Sequence, residues 1–335
     1  MFRRFLLRSV LVAGLSLAIG CGGPDGQTRG WNQASIPLAD RWISDVHADR
    51  FGDVWVVGGE PGRGAAARYD GSRWTEVLLP EGVQLLNSVH SFSDGTTFVA
   101  GDGGVILRWD GVEWSRPATP TGQNLHSIWG TGPGDMWAVG GSAGTSEGGI
   151  ILRNRDGQWT TVEWPRAEHP DTRALYAVWG IGRSNVYIGG QNGTLLHWDG
   201  ESVRTQESGT ERDLRAIRGT GQDQIIAVGG GSQGVVVRPD GEGWQANSLQ
   251  GYPGIQDIWL SGRQSGWIVG RRGLAGRLRF SAEDFTFEPV SVSTSMTLRS
   301  ISGADGPGLF AVGGTFDTPE GPYNGILLRR SADAE

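Results

Sequence analysis

Little of this chain has the residue types and spacing of covalent or metal chemistry. Gly140-Gly141-Ser142-Ala143-Gly144 and Gly230-Gly231-Ser232-Gln233-Gly234 fit the Gly-x-Ser-x-Gly spacing that raises a nucleophilic serine on a sharp turn. That chemistry needs a strand before the turn and a helix after it. An apolar, strand-like run follows each match, so both read as turns between strands. Gly229 to Gly234 also satisfies Gly-x-Gly-x-x-Gly, a phosphate cradle only where a helix opens behind it, and none is predicted here. The five histidines (His47, His90, His126, His169, His197) show no His-x-x-x-His pair, and no carboxylate run has the calcium-loop pattern. Asn192-Gly193-Thr194 has the spacing of a glycosylation acceptor but reads as a tight turn. No metal and no cofactor are expected.

A second set of residues has the chemistry of recognition instead. Ser44, Asn87, His126, Tyr176, Arg215, Gln256 and Arg299 each follow the first apolar residue of a short motif, as in Leu125-His126-Ser127-Ile128. The apolar positions of the motif recur, whereas this one is always polar or aromatic and changes almost every time. Side chains that refuse to repeat on a repeating scaffold are where binding is expected.

The elements that must position them come from the repeat itself. The second apolar residues of the motif are Val46, Val89, Ile128, Val178, Ile217, Ile258 and Ile301, spaced 39 to 50 residues apart. Each copy continues with an apolar run ending in glycine, such as Met136-Trp137-Ala138-Val139-Gly140, then a third run and a tryptophan-bearing fourth. No stretch has the 3.6-residue period of a helix. Second runs such as Val54-Trp55-Val56-Val57 and Ile225-Ile226-Ala227-Val228, rich in β-branched and aromatic residues, predict strands buried on both faces. The Asp-Gly pairs at 70–71, 110–111, 156–157, 199–200 and 240–241 predict hairpins with two central residues at positive φ. Glycine supplies 57 of 335 residues against a usual ~7%, which turns and tight contacts account for.

Four short strands at this period predict an all-β, seven-bladed β-propeller with four-stranded antiparallel blades over residues 29–331. The seventh copy stops at Ile326-Leu327-Leu328-Arg329 without its tryptophan strand. Gly30-Trp31-Asn32-Gln33-Ala34 has that missing pattern and is expected to close the last blade. In this fold the seven variable residues would rim one mouth of the central channel, and His47 and His90 would be polar side chains near it. Long strand 2–3 connections in the third repeat (142–148) and the seventh (315–324, with Phe316, Asp317 and Tyr323) point to the same face, as does the linker carrying Pro165, Arg166, His169 and Pro170.

The Asp-Gly-x-x-Trp units (Asp70 to Trp74, Asp110 to Trp114, Asp240 to Trp244) resemble degenerate Asp-box repeats of sialidase-like and BNR-type propellers, although the Ser or Thr two residues before the Asp is absent. Trp109-Asp110 and Trp198-Asp199 also resemble WD40 blades, without that family's Gly-His element. The Asp-box resemblance would imply glycan chemistry, which in sialidases needs an arginine cluster, a tyrosine nucleophile and an acid. The family's Arg-Ile-Pro element is missing, Tyr69 and Tyr187 fall within predicted strands, and no carboxylate pair has glycosidase spacing. A non-enzymatic binding or scaffolding propeller is therefore expected, with a carbohydrate-binding or glycan-active propeller of the sialidase-like type as the alternative.

The N-terminus supplies an address. Arg3, Arg4 and Arg8 precede an apolar stretch from Val10 to Ile19, too short to span a bilayer and laid out as a secretory signal. Ala18-Ile19-Gly20-Cys21, with the chain's single cysteine, resembles a bacterial lipoprotein signal. The implied division is a signal peptide over 1–20 and a lipidated Cys21 with a flexible tether over 21–28. Acyl chains contribute ~0.8 kcal/mol per buried CH₂, so such an anchor is firm. Gly22 after the cysteine favours, by that resemblance, the outer membrane of the cell envelope. Without the signal, 26 arginines and no lysine face 36 acidic residues. Such a balance argues against nucleic acid; with the envelope address, an envelope or extracellular protein is the expected partner.

Overall fold

The computed structural model describes residues 30–49, 51–142, 148–222, 224–282, 284–304, 308–315 and 320–331. The signal segment, Cys21 and the tether lie outside them. The described strands form seven four-stranded antiparallel sheets. Six of the sheets are built from four strands consecutive in the chain. Their innermost strands are Trp42–Ala48, Leu86–Ser91, Leu125–Gly132, Leu175–Gly182, Leu214–Gly221 and Ile255–Leu260, which open blades 1 to 6. Thr297–Ala304 opens blade 7.

The alternation of side chains along the second strands explains how the blades stack. In blade 1, Trp55 and Val57 face blade 2 and join Leu86, Val89 and Val99, while Val54 and Val56 face blade 7 and join Phe310 and Val312. Every blade repeats this division, and the described residues fall into seven apolar clusters, one per junction. With partners on both faces, the second strands are buried almost end to end. Apolar burial on both faces of each sheet, at ~25 cal/mol per Å², is what favours this ring.

Blade 7 is completed from the other end of the chain. Asn32–Gln33 pairs antiparallel with Asn324–Arg330, and the Ala34 N–H extends the ladder to the Leu327 carbonyl at 2.9 Å. Trp31 is 7% exposed and meets Trp267 of blade 6 edge-on at 5.9 Å between ring centroids. Trp31 thus pins the fourth strand of blade 7 against blade 6.

The Asp-Gly hairpins differ from the sequence expectation. Only Asp156-Gly157 has both residues at positive φ; at the other four the glycine alone does. There the aspartate side chain makes the turn: Asp70 Oδ1 accepts the N–H groups of Ser72 and Arg73 at 2.9 and 3.0 Å, and Asp110, Asp199 and Asp240 do the same. These are Asx turns, in which a carboxylate satisfies two backbone donors that a two-residue reverse turn would leave free.

Replacing Trp31 with alanine should cost ~3–5 kcal/mol, the range for a buried tryptophan, and lower the thermal midpoint. An unchanged midpoint for Trp31→Ala would remove the strand's role in closing the ring.

Candidate binding site at the channel mouth

Each innermost strand carries a β-bulge at one fixed place. The ladder of blade 3 pairs Leu125 with Gly140 and then Ser127 with Val139, leaving His126 unpaired. The same slip isolates Ser44, Asn87, Tyr176, Arg215, Gln256 and Arg299. A bulge bends the strand and re-aims the extra side chain. Opposite the residue before each bulge stands the glycine that ends the second strand. A Cβ on Gly140 would lie 1.9 Å from the Asn124 carbonyl oxygen, and one on Gly229 1.9 Å from that of Asp213. Glycine therefore permits the backbone approach that makes the bulge possible.

All seven bulged residues line one axial cavity of about 370 Å³, a volume within the range of small-ligand sites. The short turns between second and third strands gather at the same mouth. Asn87 donates to Asp102 Oδ1 in such a turn (2.8 Å) and to the Leu125 carbonyl of blade 3 (3.0 Å). His126 donates from Nε2 to the Gly141 carbonyl at 2.9 Å. Burial, with Arg299 and Arg215 nearby and against the Gly141 bond, holds its pKa at about 4, so the ring is neutral at pH 7. The His126 and Tyr176 rings lie 5.6 Å apart, and the Arg215 guanidinium sits 3.9 Å over the Tyr176 ring while pairing with Asp213 at 2.7 Å. Burial raises the Tyr176 hydroxyl above its usual pKa. Burial also brings Arg299 down to about 10, helped by repulsion from Arg215 and Arg271. Ser44 Oγ, Arg215 Nε and Gln256 Nε2 are buried without a hydrogen-bond partner among the described residues.

One residue further along each strand lies a belt that the sequence reading missed. The Val89 N–H donates to Asp45 Oδ2 (2.9 Å), Ile128 N–H to Ser88 Oγ (3.2 Å) and Val178 N–H to Ser127 Oγ (3.3 Å). Ile301 N–H donates to Asp257 Oδ2 (3.0 Å) and Val46 N–H to Ser300 Oγ (3.4 Å). Each bond crosses from one blade to the next. The Ser300 hydroxyl stands between two carboxylates, 2.6 Å from Asp45 and 3.0 Å from Asp257. Burial raises the Asp45 carboxyl above its ordinary pKa; the Ser300 bond opposes this and the Asp257 charge adds to it. Blades 4 and 5 carry Ala177 and Ala216 at this position, and there Arg218 reaches Asp257 at 3.2 Å. The signal in the sequence was the recurrence of Ser or Asp directly after the variable residue.

His47 and His90 lie deeper in the channel with ring centroids 4.6 Å apart. His47 Nδ1 takes the Ser91 N–H at 3.2 Å. Burial and the neighbouring cations hold His90 at about 4 and His47 well below its usual value. Neither belongs to a group of three metal-ligating side chains among the described residues. Tyr323 stands apart from the channel lining, near Glu60 and Glu320 on the rim; Phe316 and Asp317 lie outside the described residues. The linker with Pro165, Arg166, His169 and Pro170 is a brace rather than a free loop. His169 Nε2 meets Thr205 Oγ1 of blade 4 at 3.1 Å, and Thr172 meets Thr194 at 2.7 Å.

No family model and no curated protein sequence matches the chain. Solved structures do match. YCF48 bound to D1 peptide is 19% identical with a TM-score of 0.65, over 90% of this chain and 97% of that one. Virginiamycin B lyase from Staphylococcus aureus is 16% identical with a TM-score of 0.68, over 89% and 98%. The WD40 propeller domain of Doa1 is 12% identical with a TM-score of 0.66, over 91% and 99%. At these identities the likeness is one of fold, and it spans a peptide-bound protein and an enzyme alike.

The depressed histidines predict a pH dependence. A histidine with a folded pKa near 4 and an unfolded one near ~6.5 contributes stability above pH 6.5 that is lost as pH falls toward 4. Asp45, raised in the folded state, acts in the opposite sense. The thermal midpoint should fall from pH 6.5 to 4, and His90→Gln should flatten that slope. An equally steep slope in the variant would show that His90 takes no part.

Proposed function

We propose that this chain is a non-catalytic propeller of the bacterial envelope that binds or scaffolds a protein at the channel mouth. The observation that carries this reading is the sevenfold bulge. One backbone device, repeated at every blade, presents seven side chains of six types to one cavity. A repeated strand whose bulged position changes from blade to blade has the design of a recognition surface. Buried polar atoms without protein partners, at Ser44, Arg215 and Gln256, give a ligand hydrogen bonds to complete.

Catalysis is disfavoured by what surrounds the paired carboxylates. Asp45 and Asp257 are close enough to share the Ser300 hydroxyl, but their oxygens accept backbone N–H groups and hydroxyls that join the blades. A general acid or base must be free to exchange a proton with substrate; these two are occupied in holding the ring. Attachment through Cys21 is part of the same proposal and rests on the lipoprotein-like signal.

Crosslinking in intact cells followed by capture should return a discrete envelope protein, lost when His126→Ala and Gln256→Ala are combined in a protein of unchanged thermal midpoint. Labelled palmitate should enter the wild type and not Cys21→Ala. Saturable binding on a glycan array, abolished by Tyr176→Ala, would overturn the protein-binding reading in favour of a carbohydrate ligand.

A further inference from the structure

We propose that the channel mouth is a carboxylate site: Arg215 and Arg299, with Gln256 between them, take the acidic groups of a peptide. This rests on the mouth being a protein-binding surface and names the chemistry of its partner.

The charges around the mouth are unevenly placed. Of the seven bulged residues only Arg215 on blade 5 and Arg299 on blade 7 are charged at neutral pH, since His126 is held neutral. Arg271, exposed in the short turn of blade 6, adds a third cation close enough to repel Arg299. Of the nearby carboxylates, Asp213 is paired with Arg215, and Asp102, raised by its burial, accepts from Asn87. Deeper down, Asp45 and Asp257 are committed to the inter-blade belt. Arg299 is left half-buried, 5.5 Å over the Trp42 ring, with no hydrogen bond or ion pair among the described residues.

The unmatched groups at this side of the mouth are donors. Arg215 Nε and Gln256 Nε2 have hydrogens to give and no acceptor within reach, and Arg299 brings a whole guanidinium fork. The ligand must supply acceptors, and an anionic one offsets Arg299 and Arg271, since Arg215 already has Asp213 beside it. A carboxylate matches the planar fork of arginine with two parallel bonds. Asp213 and the Tyr176 ring fix the plane of Arg215 beforehand, so little ordering is needed on binding. The walls beside the cations are the Tyr176, His126 and Trp42 rings, which suit a peptide chain between its charges. A chain that is itself −7 in net charge disfavours a long polyanion.

The test is fluorescence anisotropy on the full chain in detergent, with fluorescein-labelled hexaglutamate, its C-terminal amide and hexaglutamine amide as probes. Hexaglutamate should bind saturably and more weakly as salt rises; hexaglutamine amide should not bind. Arg299→Gln and Arg215→Gln should each weaken binding about 10-fold, the order expected for one charge-assisted bond. Arg299→Lys should weaken it less, and Arg155→Gln, on an exposed strand end of blade 3, should leave it unchanged. Binding of both hexaglutamates supports side-chain carboxylates as the recognised groups; loss with the amide alone supports the same site taking a chain terminus. Failure of both to bind, or equal affinity in folded Arg215→Gln and Arg299→Gln proteins, overturns the site. In the crosslinking experiment, a partner captured equally by wild type and the double arginine variant overturns the carboxylate chemistry alone. No capture by wild type overturns the protein-binding reading beneath it.

Discussion

The rest of the structure depends on one close approach of two backbones. Near the end of every second strand a glycine lies against the carbonyl of the residue two before the bulge, nearer than any Cβ would allow at Gly58, Gly101, Gly140, Gly229 and Gly313. That approach starts the ladder in register, and the next residue is forced out of it as a bulge. Two results follow from the same geometry. The strand resumes its alternation one residue later, so that Val46, Val89 and their equivalents turn into the junctions between blades. The extra residue, freed from the alternation, turns to the axis. Packing and recognition are thereby separated along a single strand.

The inter-blade belt shows how the ring tolerates a polar axis. Backbone N–H groups near the channel would be left short of acceptors, and the Ser or Asp after each bulge supplies one from the preceding blade. Buried polar groups satisfied in this way fix one arrangement of the blades. Where Ala177 and Ala216 interrupt the belt, Arg218 bridges instead to Asp257. Blades 4 and 5 therefore differ from the others at the very axis, and there Tyr176 and Arg215 line the mouth.

Much of this was legible in the residues. The phase of the apolar pairs located the blades, and the seventh copy's missing strand pointed to Trp31. The seven variable positions were visible because everything around them repeats, and they do line one cavity. Other features needed pairing partners that a sequence does not display. The bulge is a relation between two strands, so its cause, a glycine some fifteen residues downstream, could be seen only as one more strand-ending glycine. Asp-Gly was read for its backbone dihedrals, whereas at Asp70 and Asp110 the side chain makes the turn. The linker after Trp164 reads as a recognition loop because long connections carrying charge and aromatics are where binding is expected. Its His169 and Thr172 instead spend their hydrogen bonds on blade 4. Tyr323 was grouped with the mouth from loop length alone, and length does not fix where a side chain ends.

A site made of one side chain per blade has a consequence for how such a scaffold acquires a ligand. Each bulged residue is turned to the axis by the backbone of its own blade, while contacts such as Arg215 over Tyr176 and Asn87 on the Leu125 carbonyl tie neighbouring blades together at the mouth. Substitution there leaves the seven apolar junctions and the belt intact, because neither uses the bulged side chain. Chemistry at the mouth can thus change with the apolar junctions intact, at the cost only of local contacts such as the Asn87 bond to the Leu125 carbonyl.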